Sequence, residues 1–244
     1  MGEMPDESID MVLTSPPYDN LRDYGGYVFD FKGIAKELYR IVKDGGVVIW
    51  VVGDATIKGS ETGTSFGQAL YFKEIGFNLH DTMIYAVDGT GAKGSNLAYW
   101  QSFEYMFIFT KGKIKTFNPL RDRKNKQVLK YSTGRNTNIQ GESDPSQVLV
   151  NKFGKRQNIW YFRVGLMNND DRTTHPAPFP ERLAEDHIFS WSNKGDLILD
   201  PMCGSGTTCK MAKGLGRNFI GIEINPDYCD IARERVKGQT KPLL

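Results

Sequence analysis

The chain has 244 residues, of which 39% are hydrophobic and 25% charged, and this composition suits one α/β domain with a buried core. It contains no apolar run of the ~18 residues that a membrane span needs, and residues 1–7 lack the basic start and apolar stretch of a signal peptide. We therefore expect no membrane span and a cytoplasmic protein. The formal net charge is +2, yet Lys111 to Arg163 holds 13 Lys and Arg against 3 Asp and Glu, so this stretch carries +10 and the remainder −8. The basic stretch indicates either contact with a polyanion or a solvated surface insertion.

The first half of the chain alternates between strand and helix patterns. The apolar spacing of positions 31–42 follows a helical period and stops at two glycines, and the β-branched run that comes next is typical of a strand covered on both faces. In chain order, the pattern predicts a strand at Ile9–Thr14, a helix at Phe31–Val42, a strand at Val47–Val52, a helix at Phe66–Ile75 and a strand at Phe103–Thr110.

Residues 112–158 lose this periodicity and are rich in Lys, Arg, Asn, Gly, Ser and Gln, which indicates a loop-rich insertion. The alternation then resumes to the end of the chain. The predicted elements are a strand at 158–162, a helix at Pro180–Ser190, a strand at Asp196–Leu199, a helix at Thr207–Lys213, a strand at Asn218–Ile222 and a helix at Pro226–Val236. This order predicts an α/β fold with a doubly wound, largely parallel sheet.

A glycine-containing turn, Asp200 to Thr208, separates a predicted strand from a predicted helix. Glycines let a ligand approach the backbone there, and the start of a helix favours negative charge. Glu223 lies seventeen residues past Gly206, at the end of the next predicted strand, where its carboxylate can accept hydrogen bonds from both hydroxyls of a ribose. Together they predict a cofactor that contains adenosine. The glycines do not form the dinucleotide fingerprint, so NAD fits less well.

A second motif, Thr14-Ser15-Pro16-Pro17-Tyr18, ends the first predicted strand. Its two prolines fix the backbone, so the Ser15 hydroxyl and the Pro16 carbonyl can face one point while the Tyr18 ring offers a stacking face. Acceptors placed at the hydrogens of an aromatic amino group would free its nitrogen lone pair for attack on a methyl sulfonium, without a covalent intermediate. Taken alone, the same residues also fit an ordinary turn with a core tyrosine.

A third motif, His175 to Leu183, precedes the strand that leads to the glycine turn. Phe179 and the neighbouring prolines would form an apolar wall, while His175 fits a ligand contact and a structural histidine equally well.

In this order the three motifs resemble the beta group of DNA amino-methyltransferases of restriction-modification systems, in which the catalytic motif comes first, target recognition follows and the cofactor motifs come last. The resemblance covers nearly the whole chain, including 37–54 and 103–112 as conserved sheet segments. It implies a Rossmann-like methyltransferase sheet made of a catalytic half at 1–111, a small basic target-recognition insertion at 112–158 and a cofactor half at 159–244.

The resemblance also implies a role for each motif residue. The catalytic motif Ser15, Pro16, Pro17 and Tyr18 would hold a flipped-out base, because an enzyme cannot reach an amino nitrogen inside a stacked duplex. The residues expected to bind S-adenosyl-L-methionine are Asp200, Pro201, Cys203, Gly204, Ser205, Gly206, Thr207, Glu223, Asn225, His175, Phe179 and Pro180. The residues expected to contact DNA phosphates are Lys124, Arg135 and Arg156.

Two positions depart from the family pattern. Members have a further strand, with an Asp that contacts the cofactor adenine, just upstream of the catalytic strand, but only nine residues precede Asp10 here. We therefore expect either a truncated start or an adenine held differently. Met202-Cys203 also replaces the usual aromatic residue of the glycine motif.

Ser15 at the head of the catalytic motif and Phe179-Pro180 favour cytosine, with N4-methylcytosine as product, over adenine, whose methyltransferases mostly carry Asp in place of this serine. Methylation of cytosine carbon 5 is not expected, because it uses a Pro-Cys nucleophile and Cys203, Cys209 and Cys229 all lack a preceding proline. RNA or protein methylation and an inactive nucleic-acid-binding module are the remaining alternatives.

The expected partner is double-stranded DNA, which would place the protein on the nucleoid when bound. A homodimer and a cognate restriction endonuclease stay open, as does the recognition sequence. The cysteine spacings match neither a zinc site nor a disulfide framework, so we expect reduced thiols and no bound metal.

Overall fold

The computed structural model describes residues 1–17, 29–88, 99–126, 128, 131–133, 136–137, 143–144, 147–163 and 180–239. Their contacts divide the chain into two units, one formed by residues 1–118 and 158–244 and the other by residues 119–157. The smaller unit lies within the predicted insertion. None of the helices in the described ranges is long and apolar enough to cross a membrane.

A seven-stranded sheet forms the centre of the larger unit. The strands of this unit are β1 (Ile9–Thr14), β2 (Val42–Val52), β3 (Thr56–Ile57), β4 (Ser60–Glu61), β5 (Asn78–Asp88), β6 (Phe103–Thr110), β13 (Ile159–Arg163), β14 (Leu197–Asp200) and β15 (Asn218–Gly221). Its helices are α1 (Phe31–Ile41), α2 (Thr64–Glu74), α3 (Glu181–Trp191), α4 (Thr207–Gly214) and α5 (Pro226–Gly238). The order of strands in the sheet is β13-β5-β6-β2-β1-β14-β15. Strand β6 runs antiparallel to both of its neighbours, and the other neighbouring pairs are parallel.

Helices cover both faces of this sheet. On one face α1 and α2 pack against the strands through a core around Trp50 and Phe72, whose rings lie 5.1 Å apart. On the other face α3 packs against β1, and its buried His187 lies 3.1 Å from the Met106 sulfur of β6. This arrangement confirms the predicted doubly wound, largely parallel α/β fold.

Strand β2 begins earlier than predicted, at Val42 instead of Val47. Its pairing with β1 passes from Ile9–Val42 directly to Met11–Val47, so residues 43–46 bulge out of the ladder. The lysine, aspartate and two glycines of this segment, predicted as a helix stop, form that bulge.

The smaller unit consists of short strands in two-stranded antiparallel pairs. These strands are β7 (Arg123–Lys124), β8 (Tyr131–Thr133), β9 (Asn136–Thr137), β10 (Ser143–Asp144), β11 (Gln147–Leu149) and β12 (Phe153–Gly154). Strand β7 pairs with β12, β8 with β11 and β9 with β10. The predicted loop-rich character of this region agrees with the shortness of these strands.

Candidate active site

Asp200 ends β14 and is buried, with a side chain that begins the glycine turn. Its Oδ1 accepts a hydrogen bond from the N–H of Met202 at 3.2 Å. Burial raises the pKa of Asp200 to about 6, although the neighbouring hydroxyls of Thr208 and Thr14 act to lower it. A carboxyl group that titrates near neutral pH therefore lies between β1 and the glycine turn.

Two glycines give the turn its shape. Gly204 and Gly206 have φ angles of 49° and 78°, in the left-handed region that favours glycine, and the N–H of Gly206 donates to the Cys203 carbonyl at 2.7 Å. A Cβ on Gly206 would lie only 2.8 Å from the Cβ of Ala232 in α5. Gly206 is thus required by helix packing as well as by the turn.

Glu223 follows β15 and holds the turn through its carboxylate. Oε2 accepts the N–H of Gly204 at 2.8 Å, while Oε1 accepts the N–H groups of Ile224 and Asn225, both at 2.9 Å. A carboxylate offers about four acceptor positions, so roughly one stays available beyond these three bonds. Both hydroxyls of a ribose could bind the Glu223 carboxylate only if one of the three backbone N–H groups lost its hydrogen bond to it.

Arg235 of α5 supports the turn from its other side. One guanidinium nitrogen donates to the carbonyl and hydroxyl of Ser205, at 2.8 and 2.9 Å, and to the hydroxyl of Thr207 at 3.1 Å. The other donates to Glu181 at 2.7 Å, and Lys210 reaches the same carboxylate oxygen at 2.6 Å. Arg235 thereby ties the turn to the first residue of α3.

The catalytic segment leaves β1 directly beside this turn. Strands β1 and β14 are parallel neighbours, with Val12 opposite Leu199. Ser15 and Met202 each follow three residues later, just past the ends of these strands. Ser15 is half-buried and Pro16 is buried. Because neighbouring strands are about 4.8 Å apart, the predicted catalytic and cofactor segments meet at one edge of the sheet.

Several other predicted residues have positions or contacts that shape the site. Pro17 is half-buried after Pro16, Pro201 is buried within the turn, and Pro180 is the half-buried residue before α3. Asn225 caps α5, since its side-chain oxygen accepts the N–H of Asp227 at 2.9 Å. Three residues expected at the site, Tyr18, His175 and Phe179, lie outside the described residues.

Cys203 is partly exposed, and its sulfur lies against Gly221 of β15. A Cβ on Gly221 would lie 2.9 Å from its sulfur and 2.7 Å from that of Cys209, so both thiols fill the space that this glycine leaves open. A hydrogen bond with Cys209, followed by burial, raises the pKa of the Cys203 thiol. Cys203 is therefore a protonated packing residue, unsuited to nucleophilic attack.

The three predicted DNA contacts have different surroundings. Lys124 is exposed on β7, whereas the Arg156 guanidinium pairs with the carboxylate of Asp122. Arg135 lies outside the described residues. Within the described part of the chain, no group of three or more His, Cys, Asp or Glu side chains could hold a metal ion.

Two supporting residues were missed by sequence analysis. Arg235 lies thirty residues beyond Ser205, in a helix predicted only for its apolar stripe, so no local pattern marked it. Asp54, just past β2, is buried and accepts the N–H and hydroxyl of Ser65 at 2.8 and 2.5 Å, which fixes the start of α2. An aspartate directly after a buried apolar strand is the signal that could have indicated it.

This edge, with a glycine turn, an acidic residue after the next strand and a Ser-Pro-Pro segment on the neighbouring strand, places the chain among Rossmann-like α/β enzymes of the methyltransferase class. Residues 9–234 match the N6/N4 DNA methylase family. The chain belongs to this family of DNA methylases.

Known relatives agree with this assignment. The orphan methyltransferase M.BamHII of Bacillus amyloliquefaciens is 56% identical over 239 residues, covering 95% of this chain and 90% of the relative. The DNA adenine methyltransferase YhdJ of Escherichia coli K12 is 27% identical over 97% of this chain and 79% of its own length.

Two solved structures share the fold. The PvuII DNA methyltransferase, described as cytosine-N4-specific, superimposes with a TM-score of 0.70 at 21% identity, over 96% of this chain and 81% of that one. TTHA0409 of Thermus thermophilus, solved in complex with S-adenosyl-L-methionine, gives 0.66 at 24% identity, over 98% and 89%.

Proposed function

We propose that this DNA methylase transfers the methyl group of S-adenosyl-L-methionine to the exocyclic amino nitrogen of cytosine in duplex DNA and so forms N4-methylcytosine. The observation that carries the proposal is the adjacency of two segments at one sheet edge. Ser15 follows β1 and the glycine turn follows β14, and the Thr208 hydroxyl, just past the turn, donates to the Leu13 carbonyl of β1 at 3.3 Å. A methyl donor and an acceptor base bound to these two segments would lie side by side.

The groups around the glycine turn support binding of S-adenosyl-L-methionine. Glu223 presents a half-buried carboxylate suited to ribose hydroxyls, and Asp200 a buried one suited to an ammonium group. Gly204 and Gly206 take left-handed backbone conformations that shape the turn at the start of α4. S-adenosyl-L-methionine supplies a methyl group on a positively charged sulfur, which needs no metal and no phosphate cradle.

On the side of the target base, Ser15 and Pro16 orient the exocyclic amino group. The Ser15 hydroxyl and the Pro16 carbonyl would accept its two hydrogens, which draws the nitrogen toward a tetrahedral geometry and directs its lone pair to the methyl group. Tyr18, together with Pro17, would hold the ring of the flipped base. The protonated Cys203 argues against a covalent route through this thiol.

Cytosine is preferred to adenine as the target base because Ser15 begins the Ser-Pro-Pro-Tyr motif. The Phe179-Pro180 pair also resembles the cytosine-N4 branch of the family. Adenine N6 is the second candidate, supported by the relation to an adenine methyltransferase. An inactive binding module is weaker, because Ser15, Gly204, Gly206 and Glu223 are all present. RNA methylation is weaker because residues 9–234 match a family of DNA methylases.

The smaller unit, within 112–158, is proposed to recognise the target sequence on double-stranded DNA. Its exposed Lys124 is proposed as a phosphate contact, and so is Arg135. Arg156 is a weaker candidate, since its charge is already paired with Asp122.

The replacement Ser15→Ala tests the catalytic assignment. We expect single-turnover methyl transfer to duplex DNA to slow by about a hundredfold or more, the size of effect seen when one oriented polar group is removed from an active site. Affinity for S-adenosyl-L-methionine, measured by calorimetry, should change little, because Ser15 would contact the base. Equal losses of turnover and cofactor affinity would contradict the role of Ser15.

A further inference from the structure

Among the described residues, the short hairpin β3–β4 projects from the domain with its surface exposed. Thr56 pairs with Glu61 and Ile57 with Ser60, and all six residues from 56 to 61 are exposed. Ile57 keeps 55% of its surface in contact with solvent. Because two-stranded hairpins are marginally stable in water unless they are supported, burial does not explain why this hairpin forms.

Its base, by contrast, is firmly attached. The buried Asp54 accepts both the N–H and the hydroxyl of Ser65, and the carbonyl of Ala55 accepts the N–H of Thr62 at 2.9 Å. These bonds fix the chain on both sides of the hairpin. Within the described ranges, the hairpin is therefore fixed at its base, while the residues of its tip are exposed.

The tip is a two-residue turn in an unfavourable conformation. Lys58 and Gly59 have φ angles of 51° and 82°, and this left-handed pair is usually Asn-Gly or Gly-Gly. A lysine there costs free energy that asparagine would largely avoid, and such strain concentrates at functional positions. The sequence thus places an exposed cation beside an exposed aliphatic side chain.

The hairpin emerges at the same sheet edge as the catalytic segment. Thr14 pairs with Trp50 in the parallel strand β2, and Asp54 follows four residues later. One strand therefore leads into Ser15 and its neighbour leads into the hairpin. A nucleic acid with a base bound at Ser15 would pass close to this edge.

We propose that the β3–β4 hairpin is a wedge that enters the DNA duplex beside the target base, with Ile57 filling the gap in the stack and Lys58 contacting a neighbouring phosphate. Apolar side chains on projecting elements serve this purpose in other DNA-bending proteins, because they replace the stacking lost when bases separate. A cation next to the wedge matches the adjacent backbone charge. The inference rests on the proposed function, since the wedge would support the flipping of the target base.

The test compares two short duplexes that contain the recognition site, read beforehand from methylated DNA. In one the target base is paired, and in the other it stands opposite a mismatched base. We expect Ile57→Ser to slow single-turnover methylation about tenfold on the paired target and less than about threefold on the mismatched one, where opening is already easy. Ile57→Met, which keeps apolar bulk, should restore most of the rate on the paired target.

Leu70→Ser is the matched control, because Leu70 is an aliphatic residue with 66% of its surface exposed, on α2 outside the hairpin. It should change neither rate. If Ile57→Ser slowed methylation of both duplexes equally, or of neither, the wedge would be overturned. The proposed function would still stand, because the wild-type protein methylates the DNA. Absence of methylation by the wild-type protein on both duplexes would overturn the proposed function and the wedge with it.

Discussion

Asp200 combines burial with an ionisable carboxyl, and this combination gives the stability of the protein a defined pH dependence. Its pKa is about 6 in the folded chain, against about 3.9 in an unfolded one. Between these values the folded state binds more protons, so the free energy of unfolding decreases as pH rises from about 4 to 6. Above pH 6 the buried charge of Asp200 lowers the free energy of unfolding by on the order of 3 kcal/mol.

The replacement Asp200→Asn removes this cost. We expect the variant to melt at a higher temperature than the wild-type protein at pH 8, and the difference to vanish near pH 4, where both carry a neutral side chain. Differential scanning calorimetry across this range measures the effect. Its affinity for S-adenosyl-L-methionine should fall at the same time, and a variant that melts lower than the wild type at pH 8 would refute the assigned cost.

Glu223 offers a second prediction for a single residue. Glu223→Gln replaces one acceptor oxygen by an amide donor, which faces backbone N–H groups that it cannot bind. We expect cofactor affinity to fall about tenfold or more, because each hydrogen bond to a charged group contributes about 1.5–3 kcal/mol. Calorimetric titration gives the affinity, and Glu234→Gln on the exposed side of α5 serves as the control. Unchanged affinity in the Glu223 variant would remove the ribose role.

The positions of Asp200 and Glu223 were predictable because both follow strands beside glycines, and parallel strands end at one edge. The raised pKa of Asp200 was not, because it comes mainly from burial of the carboxyl, which only the packed fold creates. The position of the Cys203 thiol against Gly221 was not predictable either, because it depends on the neighbouring strand β15.

Helix α5 contributes to the site through one side chain, Arg235, which holds the glycine turn in place. Arg235→Ala removes donors to Ser205 and Thr207, so we expect weaker cofactor binding and a lower melting temperature. Arg235→Lys should recover part of the affinity, since it keeps the charge without the planar fork. Arg233→Ala, an exposed neighbour paired only to Asp230 among the contacts that the structure describes, is the control. An Arg235→Ala protein with wild-type cofactor affinity would show that the turn holds its shape unaided.

Element boundaries followed the periodic pattern closely where the pattern was regular. Strands β1 and β6 have the predicted ends, and the helices differ by one or two residues. Strand β5 was missed because its pairing with β6 shifts register between Leu79 and Asp81, and this bulge interrupts the alternation that reveals a strand. The β3–β4 hairpin was missed because two-residue strands have no period at all.

At the scale of the whole molecule, the charge asymmetry predicts how binding to DNA responds to salt. Replacing Lys124 by Ala should lower the slope of log affinity against log salt concentration by about one, because each neutralised phosphate releases counterions. Affinity measured across a salt series with mixed-sequence duplex provides the test, and Lys237→Ala on α5 is the control. An unchanged slope in the Lys124 variant would exclude this phosphate contact.

The fold class and the family could be predicted from the order of motifs, since strand and helix alternation permits few topologies. The recognition sequence could not, because base readout depends on a few side chains that loops place in a groove. The strands of the smaller unit are short and pair two by two. They lack the apolar pattern from which the positions of the base-reading side chains could be predicted.

The central claim is the transfer of a methyl group to the amino nitrogen of cytosine. The measurement that tests it most directly is incubation of the purified protein with S-adenosyl-L-methionine and mixed-sequence duplex DNA, followed by digestion to nucleosides and mass spectrometry. We predict N4-methylcytosine, in much lower yield when Ser15→Ala is incubated for the same short time. N6-methyladenine would move the assignment to the second candidate, and no modified nucleoside, despite measurable cofactor binding, would contradict the account.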